Sequence, residues 1–173
     1  VRRIDDLGRV VIPKEIRRTM RIREGDPLEI YTTREGEVIF KKYSLIGGLE
    51  DFAAQFCDVL NRSSGFTAAV TDRDAIIAIT GSGKRELLGK PLSDVLAQVM
   101  EQRSIYQYQG SGRLLPVSDS SDRYTVAVAA PILCEGDVLG LVLFLSSDAQ
   151  IPGEGEYKLA QTVSAFLGRH MET

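Results

Sequence analysis

The segment Val1–Thr19, with the sequence VRRIDDLGRVVIPKEIRRT, decides the fold of the first part of this chain. Its pattern predicts four short elements: a strand over Val1–Ile4, a turn over Asp5–Gly8, a strand over Val10–Ile12, and a helix from Pro13 to Met20. Proline suits the start of a helix, because the backbone N–H that it lacks would have no partner there. None of these elements carries enough large apolar side chains to build a core by itself.

A β-hairpin follows this segment. A turn at residues 25–27 precedes two predicted strands, Leu28–Thr33 and Val38–Lys42, which flank a loop at residues 34–37. An isolated two-stranded hairpin is only marginally stable in water, so residues 1–45 should not fold alone. We expect two chains to interleave their strands around one shared core, which makes a dimer through residues 1–45 a condition of folding.

Charge divides the chain into a basic head and an acidic body. Residues 1–45 contain eleven Lys or Arg against eight Asp or Glu, whereas residues 46–173 contain ten against sixteen. The net charge of −3 for the whole chain therefore hides a local excess of cations. Such an excess at one end of a chain favours a nucleic-acid partner.

Cations also share one face of the predicted helix. The positions i, i+3, i+4 and i+7 are all basic: Lys14, Arg17, Arg18 and Arg21. A row of cations repels itself unless an anion neutralises it, and DNA phosphates do so with release of condensed counterions. Arg2, Arg3 and Arg9 precede the helix, and their planar guanidinium groups suit phosphates and guanine edges. At this point a merely solvated basic face remains an alternative interpretation.

The residues Val1–Thr19 closely resemble the signature of AbrB-type swapped-hairpin DNA-binding domains. The resemblance continues without a gap through residues 25–30 to residues 41–43. It implies a β-barrel formed by two interleaved chains that binds double-stranded DNA. In that family, arginines of the first strand, of the Leu-Gly-Arg turn and of the helical Arg-Arg pair contact DNA. These positions correspond here to Arg2, Arg9, Arg17 and Arg18, and Arg3 and Lys14 are further candidates.

Residues 46–173 predict a second domain, after a glycine-containing boundary at residues 44–48. A leading linker helix carries apolar side chains on one face: Leu49, Phe52, Ala53, Phe56 and Leu60. The pattern then predicts strands over Phe66–Thr71 and Ala75–Thr80, a helical region over Lys84–Arg103 that restarts at Pro91, an irregular stretch over residues 107–121, strands over Tyr124–Leu133 and Val138–Ser146, and a helix over Glu154–Met171.

This layout resembles SpoVT-type sporulation regulators, whose second domain is GAF-like. The resemblance implies an α+β chain, with a central antiparallel sheet and flanking helices in the second domain. It also implies control of sporulation genes and tetramers joined through that domain. The apolar stripe of the last helix, which includes Phe166, is broader than one sheet face needs, so part of it is expected to meet another subunit. The GAF likeness allows an unidentified small-molecule effector, for which the sequence names no binding residues.

Patterns typical of catalysis are incomplete in this sequence. The Gly83-Lys84 pair is similar to part of a phosphate-binding loop, but that motif would need glycine in place of Ala78 and a hydroxyl in place of Arg85. His170 is the single histidine, and the sequence contains neither a metal-spaced cluster nor a nucleophile elbow, so neither a catalytic triad nor a zinc site can be assembled from recognisable motifs. We therefore predict no enzyme activity, no catalytic residue, no metal site and no cofactor.

Location and alternative functions complete the predictions. Cys57 and Cys134 are interpreted as buried free thiols of a reducing compartment, and no apolar run reaches the length of a membrane span. We expect a cytoplasmic, nucleoid-associated protein without a membrane partner. Since the sequence begins at Val1 and not at Met, we also expect the natural protein to have further residues before Val1. Two alternatives remain: a MazE-like antitoxin, and a ligand-binding sensor whose first domain only oligomerises.

Overall fold

The computed structural model describes residues 1–44, 46 and 48–172. The chain forms two compact units, Val1–Ser44 and Leu45–Thr173, which are called here the first and the second unit. Part of the predicted boundary at residues 44–48, namely Leu45 and Gly47, lies outside the described residues.

The first unit contains one short helix and one hairpin. Helix α1 spans Lys14–Thr19, and the antiparallel strands β1 and β2 span Leu28–Thr32 and Val38–Lys42. Ile30 pairs with Phe40 at the centre of the hairpin, as alternating apolar residues around a tight loop predict. The prediction of the hairpin is confirmed.

The predicted strands Val1–Ile4 and Val10–Ile12 are wrong for the single chain, which has no strand at either position. Between them, only the turn closes, where the backbone N–H of Asp5 donates to the carbonyl of Arg9 at 3.0 Å. A strand needs a hydrogen-bonded neighbour along its length, and an apolar pattern by itself does not supply one. Helix α1 also differs slightly from its prediction, because Pro13 precedes it as the N-cap and it ends at Thr19.

The second unit is built on a six-stranded antiparallel sheet. Its strands are β3 Thr67–Thr71, β4 Ile76–Thr80, β5 Tyr106–Gln107, β6 Pro116–Ser118, β7 Ser121–Cys134 and β8 Asp137–Ser146. The strands are arranged in the order β4-β3-β8-β7-β5, and β6 also pairs with β7. Its helices are α2 Glu50–Ser64, α3 Lys84–Leu87, α4 Asp94–Glu101 and α5 Glu154–His170. The α+β prediction with a central antiparallel sheet is confirmed for this unit.

Both faces of the sheet are covered, which explains the continuous apolar run of β8. Val142 and Phe144 pack with buried side chains of α2 and α5, whereas Leu141, Leu143 and Leu145 pack with those of α3 and α4. Alternate residues of a strand point to opposite faces, so a strand buried on both sides must be apolar throughout. One hydrophobic cluster therefore lies between the sheet and helices α2 and α5, and a second lies between the opposite face of the sheet and helices α3 and α4.

Two local predictions in the second unit are wrong. Pro91 does not restart a helix but forms an isolated bridge with Ala75, and α4 begins at Asp94. The true start signal is Ser93, whose hydroxyl accepts a hydrogen bond from the backbone N–H of Leu96 at 3.0 Å. The stretch at residues 107–121 is also not irregular throughout, because it contains β6 and the ends of β5 and β7.

Candidate nucleic-acid interface

A group of hydrogen bonds closes the turn from Asp5 to Arg9 in the basic segment. Gly8 has a φ angle of 76°, a left-handed conformation that glycine adopts without strain. The backbone N–H of Gly8 donates to the carbonyl of Asp5 at 3.1 Å, and the left-handed conformation of Gly8 then brings Arg9 back beside Asp5. Asp5 Oδ1 accepts two further hydrogen bonds, from the backbone N–H of Leu7 at 3.0 Å and from that of Arg9 at 2.8 Å.

The same aspartate also contacts the Arg9 side chain. Arg9 Nε donates to Asp5 Oδ2 at 2.8 Å, and the Arg9 side chain remains 69% exposed. Two hydrogen bonds from Arg9 lower the pKa of the Asp5 carboxyl below its usual range. The bond from the Arg9 backbone N–H has the larger effect, and the bond from its side chain has the next largest. Asp5 is therefore ionised at neutral pH, and its charge faces a guanidinium group that solvent can reach.

Helix α1 presents its cations to solvent. Lys14, Arg17 and Arg18 are exposed, and no residue of the helix is buried. Arg21 does not extend this face as predicted, because α1 has ended and Arg21 has a positive φ angle of 53°. Its carbonyl instead accepts a hydrogen bond from Lys42 Nζ at 2.8 Å, which connects the end of α1 to β2.

All six predicted site residues lie on the surface of the first unit: Arg2, Arg3, Arg9, Lys14, Arg17 and Arg18. Geometry alone distinguishes Arg9, which is held by an ion pair, from the three cations of α1, which share a short helix. Asp5 was absent from the sequence prediction, because a carboxylate in a basic segment carries no signal of DNA contact. Its spacing from Gly8 and Arg9 is the feature that would have identified it.

The first unit has no core of its own. None of the residues Val1–Ser44 is buried. Large apolar side chains are exposed throughout: Val1, Ile4, Leu7, Val10, Val11, Ile16, Met20, Ile30, Tyr31, Val38, Ile39, Phe40 and Tyr43. A single soluble chain does not leave so much of its apolar surface in water, so this unit requires a covering surface.

The second unit carries an exposed aromatic group where α2 lies against α5. We define the α2–α5 aromatic face by four residues: Phe52, Phe56, Phe166 and His170. The Phe52 ring lies 5.2 Å from that of Phe56 and 5.3 Å from that of His170, and Phe166 lies 5.4 Å from Phe56. Phe166 is 47% exposed. The predicted apolar face of α2 is thus divided, since Ala53 and Leu60 enter the core while the two phenylalanines remain half-buried.

The described residues contain little that fits catalysis. Within residues 1–44, 46 and 48–172, no group of three or more His, Cys, Asp or Glu is placed to hold a metal ion. Burial raises the pKa of the Cys57 thiol to about 12, so it is not a nucleophile near neutral pH. Cys134 is half-buried and so less enclosed than predicted. No helix in this part of the chain is long and apolar enough to cross a membrane.

Comparison with known proteins gives the same division of the chain. Residues 1–45 match the family described as antidote-toxin recognition MazE, bacterial antitoxin. Residues 48–172 match the family described as stage V sporulation protein T C-terminal, transcription factor. Stage V sporulation protein T of Bacillus subtilis (strain 168) is 48% identical over 172 residues, which are 99% of this chain and 96% of that protein. The transition state regulatory protein AbrB of the same organism is 60% identical over 43 residues, 25% of this chain and 44% of that protein.

A solved structure with the same fold as the second unit is the GAF domain of a phosphoenolpyruvate-protein phosphotransferase from Coxiella burnetii. It has a TM-score of 0.55 and 15% identity, and the match covers 71% of this chain and 82% of that chain. At this identity the likeness shows the fold alone. The GAF-like prediction is therefore confirmed as a statement about architecture.

A basic unit that resembles AbrB, joined to a GAF-like unit, defines the class of this protein as a transcription factor. The chain belongs to the stage V sporulation protein T family. Membership agrees with the predicted resemblance and with the prediction that the chain is not an enzyme. It also favours a regulator over an antitoxin, since the antitoxin match is confined to residues 1–45.

Proposed function

We propose that this chain regulates sporulation genes by binding double-stranded DNA through Arg2, Arg9, Arg17 and Arg18, with additional contacts from Arg3 and Lys14. The observation that carries the proposal is the exposure of all six cations on one small unit. Their charge attracts the phosphate backbone, and release of condensed counterions supplies much of the affinity. Contacts made mostly by long cations favour recognition of DNA shape and deformability over a strict base sequence.

Replacement of the Arg17-Arg18 pair tests this function. We expect Arg17→Ala/Arg18→Ala to weaken binding to duplex DNA and to reduce the salt dependence of log K by about two for each chain in contact, because each lost phosphate contact removes roughly one released counterion. Fluorescence anisotropy with a labelled duplex at several salt concentrations measures both quantities.

The matched control is Arg85→Ala/Arg113→Ala, which removes the same charge from exposed positions of the second unit. It should leave the salt dependence close to that of the wild type. Equal affinities and salt slopes for the wild type and the Arg17-Arg18 variant would show that α1 does not bind DNA.

The oligomeric state follows from the surfaces that the single chain leaves open. The exposed apolar side chains of the first unit, with no buried residue among Val1–Ser44, support an obligate dimer through residues 1–45. A second chain would supply hydrogen-bonded neighbours for the segments Val1–Ile4 and Val10–Ile12. A dimer would thus explain why these two segments have the residue pattern of strands although they form no strand in the single chain.

The α2–α5 aromatic face supports a second contact between copies. Phe166 is 47% exposed and Val59, about one helical turn beyond Phe56, is 59% exposed. Aromatic side chains grouped on a solvent-exposed helix pair are typical of the centre of a protein interface. Together with the dimer of the first unit, this contact would produce a tetramer.

Location and effector complete the proposal. A DNA-binding regulator of this family would act in the cytoplasm on the nucleoid, without a cofactor. Both faces of the sheet carry packed clusters, which supports a second unit that is stable without a ligand. A small-molecule effector of the GAF-like unit would raise the melting temperature of the full chain, since it would bind only the folded state.

A further inference from the structure

We propose that Asp5 is a positioning residue for DNA recognition, which holds the guanidinium group of Arg9 in one orientation and thereby raises sequence selectivity. The inference rests on the proposed function, in which Arg9 contacts DNA. It adds a residue of the opposite charge to the recognition surface. Asp5 itself does not contact DNA in this proposal.

The two carboxylate oxygens of Asp5 have different partners. Oδ1 accepts hydrogen bonds from the backbone N–H groups of Leu7 and Arg9, at 3.0 and 2.8 Å, and so closes the turn. Oδ2 accepts the hydrogen bond from Arg9 Nε at 2.8 Å and so fixes the side chain. One residue thus orders both the backbone that carries Arg9 and the direction of its guanidinium group.

The bond through Nε determines which edge of Arg9 is presented. A guanidinium group carries its donors on Nε and on two Nη atoms in a rigid plane. With Nε directed to Asp5, the Nη donors are available to an acceptor outside the turn, and the side chain is 69% exposed. A pair of donors in this arrangement suits guanine O6 and N7 or two phosphate oxygens.

Because Asp5 is negatively charged, a role in selectivity predicts different changes in DNA affinity from a role in the structure of the turn alone. A carboxylate beside DNA repels phosphates, so it reduces affinity for every sequence. Fixing Arg9 in advance removes part of the entropy cost of ordering it, and this gain is largest where the acceptor geometry is correct. Asp5 should therefore lower non-specific binding and increase the preference for the correct site.

Asp5→Asn separates the two oxygens. The asparagine carbonyl can still accept the backbone hydrogen bonds of Oδ1, but its amide nitrogen is a donor and cannot accept the hydrogen bond from Arg9 Nε. The matched control is Asp6→Asn, which removes the same charge from the adjacent exposed position. Among the described residues, Asp6 takes part in no hydrogen bond or ion pair of the turn.

The experiment uses the full chain and two DNA probes: a duplex enriched by the wild type from a random-sequence pool, and a scrambled duplex of the same length. We expect Asp5→Asn to reduce the ratio of the two affinities by about tenfold, the effect of losing one well-oriented contact, while the melting temperature is unchanged. Asp6→Asn should strengthen binding to both duplexes and leave the ratio unchanged.

A double-mutant cycle with Arg9→Ala shows whether the change in the affinity ratio depends on the Arg9 side chain. It thereby distinguishes a positioning role from a change in the folding of the turn. In the Arg9→Ala background, Asp5→Asn should no longer change the ratio, because no side chain remains to be positioned. A loss of selectivity that persists without Arg9 would overturn the proposal and assign Asp5 a role in the turn alone.

Three further outcomes would overturn it: equal changes in ratio for Asp5→Asn and Asp6→Asn, no change for Asp5→Asn, or a wild type that enriches no sequence from the pool. Failure of the proposed function looks different. If Arg9→Ala binds both duplexes as the wild type does, Arg9 is not a DNA contact. If Arg9→Ala weakens binding but Asp5→Asn preserves the ratio, only the positioning role is wrong.

Discussion

At the scale of the residue, burial and hydrogen bonding shift the pKa of individual side chains. Asp5 and Cys57 are shifted in opposite directions. The exposed Asp5 carboxyl has a lowered pKa because it accepts hydrogen bonds from the backbone and side chain of Arg9. The buried Cys57 thiol has a pKa raised to about 12 because the charged thiolate would lose its hydration.

The raised pKa of Cys57 predicts a loss of stability in alkaline solution. The thiol of the unfolded chain has its ordinary pKa of 9.0, whereas burial in the folded chain raises the pKa to about 12. Its contribution is fully present below pH 9 and is lost as the pH rises towards 12, by about 1.4 kcal/mol for each pH unit. Denaturant unfolding of Cys57→Ala should show a shallower decline than the wild type in this range.

The control is Cys134→Ala, which leaves Cys57 in place and should retain most of the wild-type decline. An unchanged decline in Cys57→Ala would mean that the thiol is not protected by burial. Absolute stabilities do not enter the comparison, since truncating a buried side chain also costs packing energy.

At the scale of the element, contact with the sheet decides which positions of a helix tolerate a side chain. A Cβ atom added to Gly168 would overlap the carbonyl oxygen of Leu133 in β7, whereas one added to Gly155 would meet nothing. Both glycines lie in α5, so they differ in their surroundings and not in helical conformation. Gly168 is therefore what lets the end of α5 approach β7 closely.

We predict opposite effects for alanine at these two positions. Gly155→Ala should stabilise the second unit by up to about 0.5 kcal/mol, because alanine restricts the unfolded chain and favours the helix. Gly168→Ala should destabilise it by about 1–3 kcal/mol, because α5 must move away from the sheet. Thermal unfolding of the full chain followed by circular dichroism measures both changes, and a neutral Gly168→Ala would contradict the close approach.

At the scale of the whole molecule, the assembly that we propose would depend on two separate surfaces. The first unit exposes the apolar residues that an interleaved dimer would bury, and the second unit exposes the α2–α5 aromatic face. Each unit therefore exposes apolar side chains that association with another chain would bury. The two contacts should respond independently to substitution.

A charge placed in the aromatic face tests the proposed tetramer. We predict that Phe166→Asp converts tetramers into dimers, because the carboxylate would be desolvated among phenylalanine rings in the contact. Sedimentation velocity distinguishes the two sizes, and Leu114→Asp, at an exposed apolar position outside this face, serves as the control. Tetramers of Phe166→Asp would exclude the aromatic face as the contact, and monomers would contradict the dimer of the first unit.

The sequence by itself determined the hairpin, the α+β class, the GAF-like second unit and the family. The hairpin and the order of strands and helices follow from local turn chemistry and apolar periodicity, whereas the α+β class, the GAF-like unit and the family followed from resemblance to known sequences. It also identified the six candidate cations, whose exposure the structure shows and whose contacts with DNA remain a prediction.

Only the tertiary structure decided which residues are partners. The ion pair of Asp5 with Arg9, the capping of α4 by Ser93 and the short strands β5 and β6 all depend on atoms brought together in space. The same is true of the segments Val1–Ile4 and Val10–Ile12, which have a strand pattern but no strand in the single chain. Periodicity records which face of a segment is apolar, whereas hydrogen bonding and burial require a neighbour that the pattern does not specify.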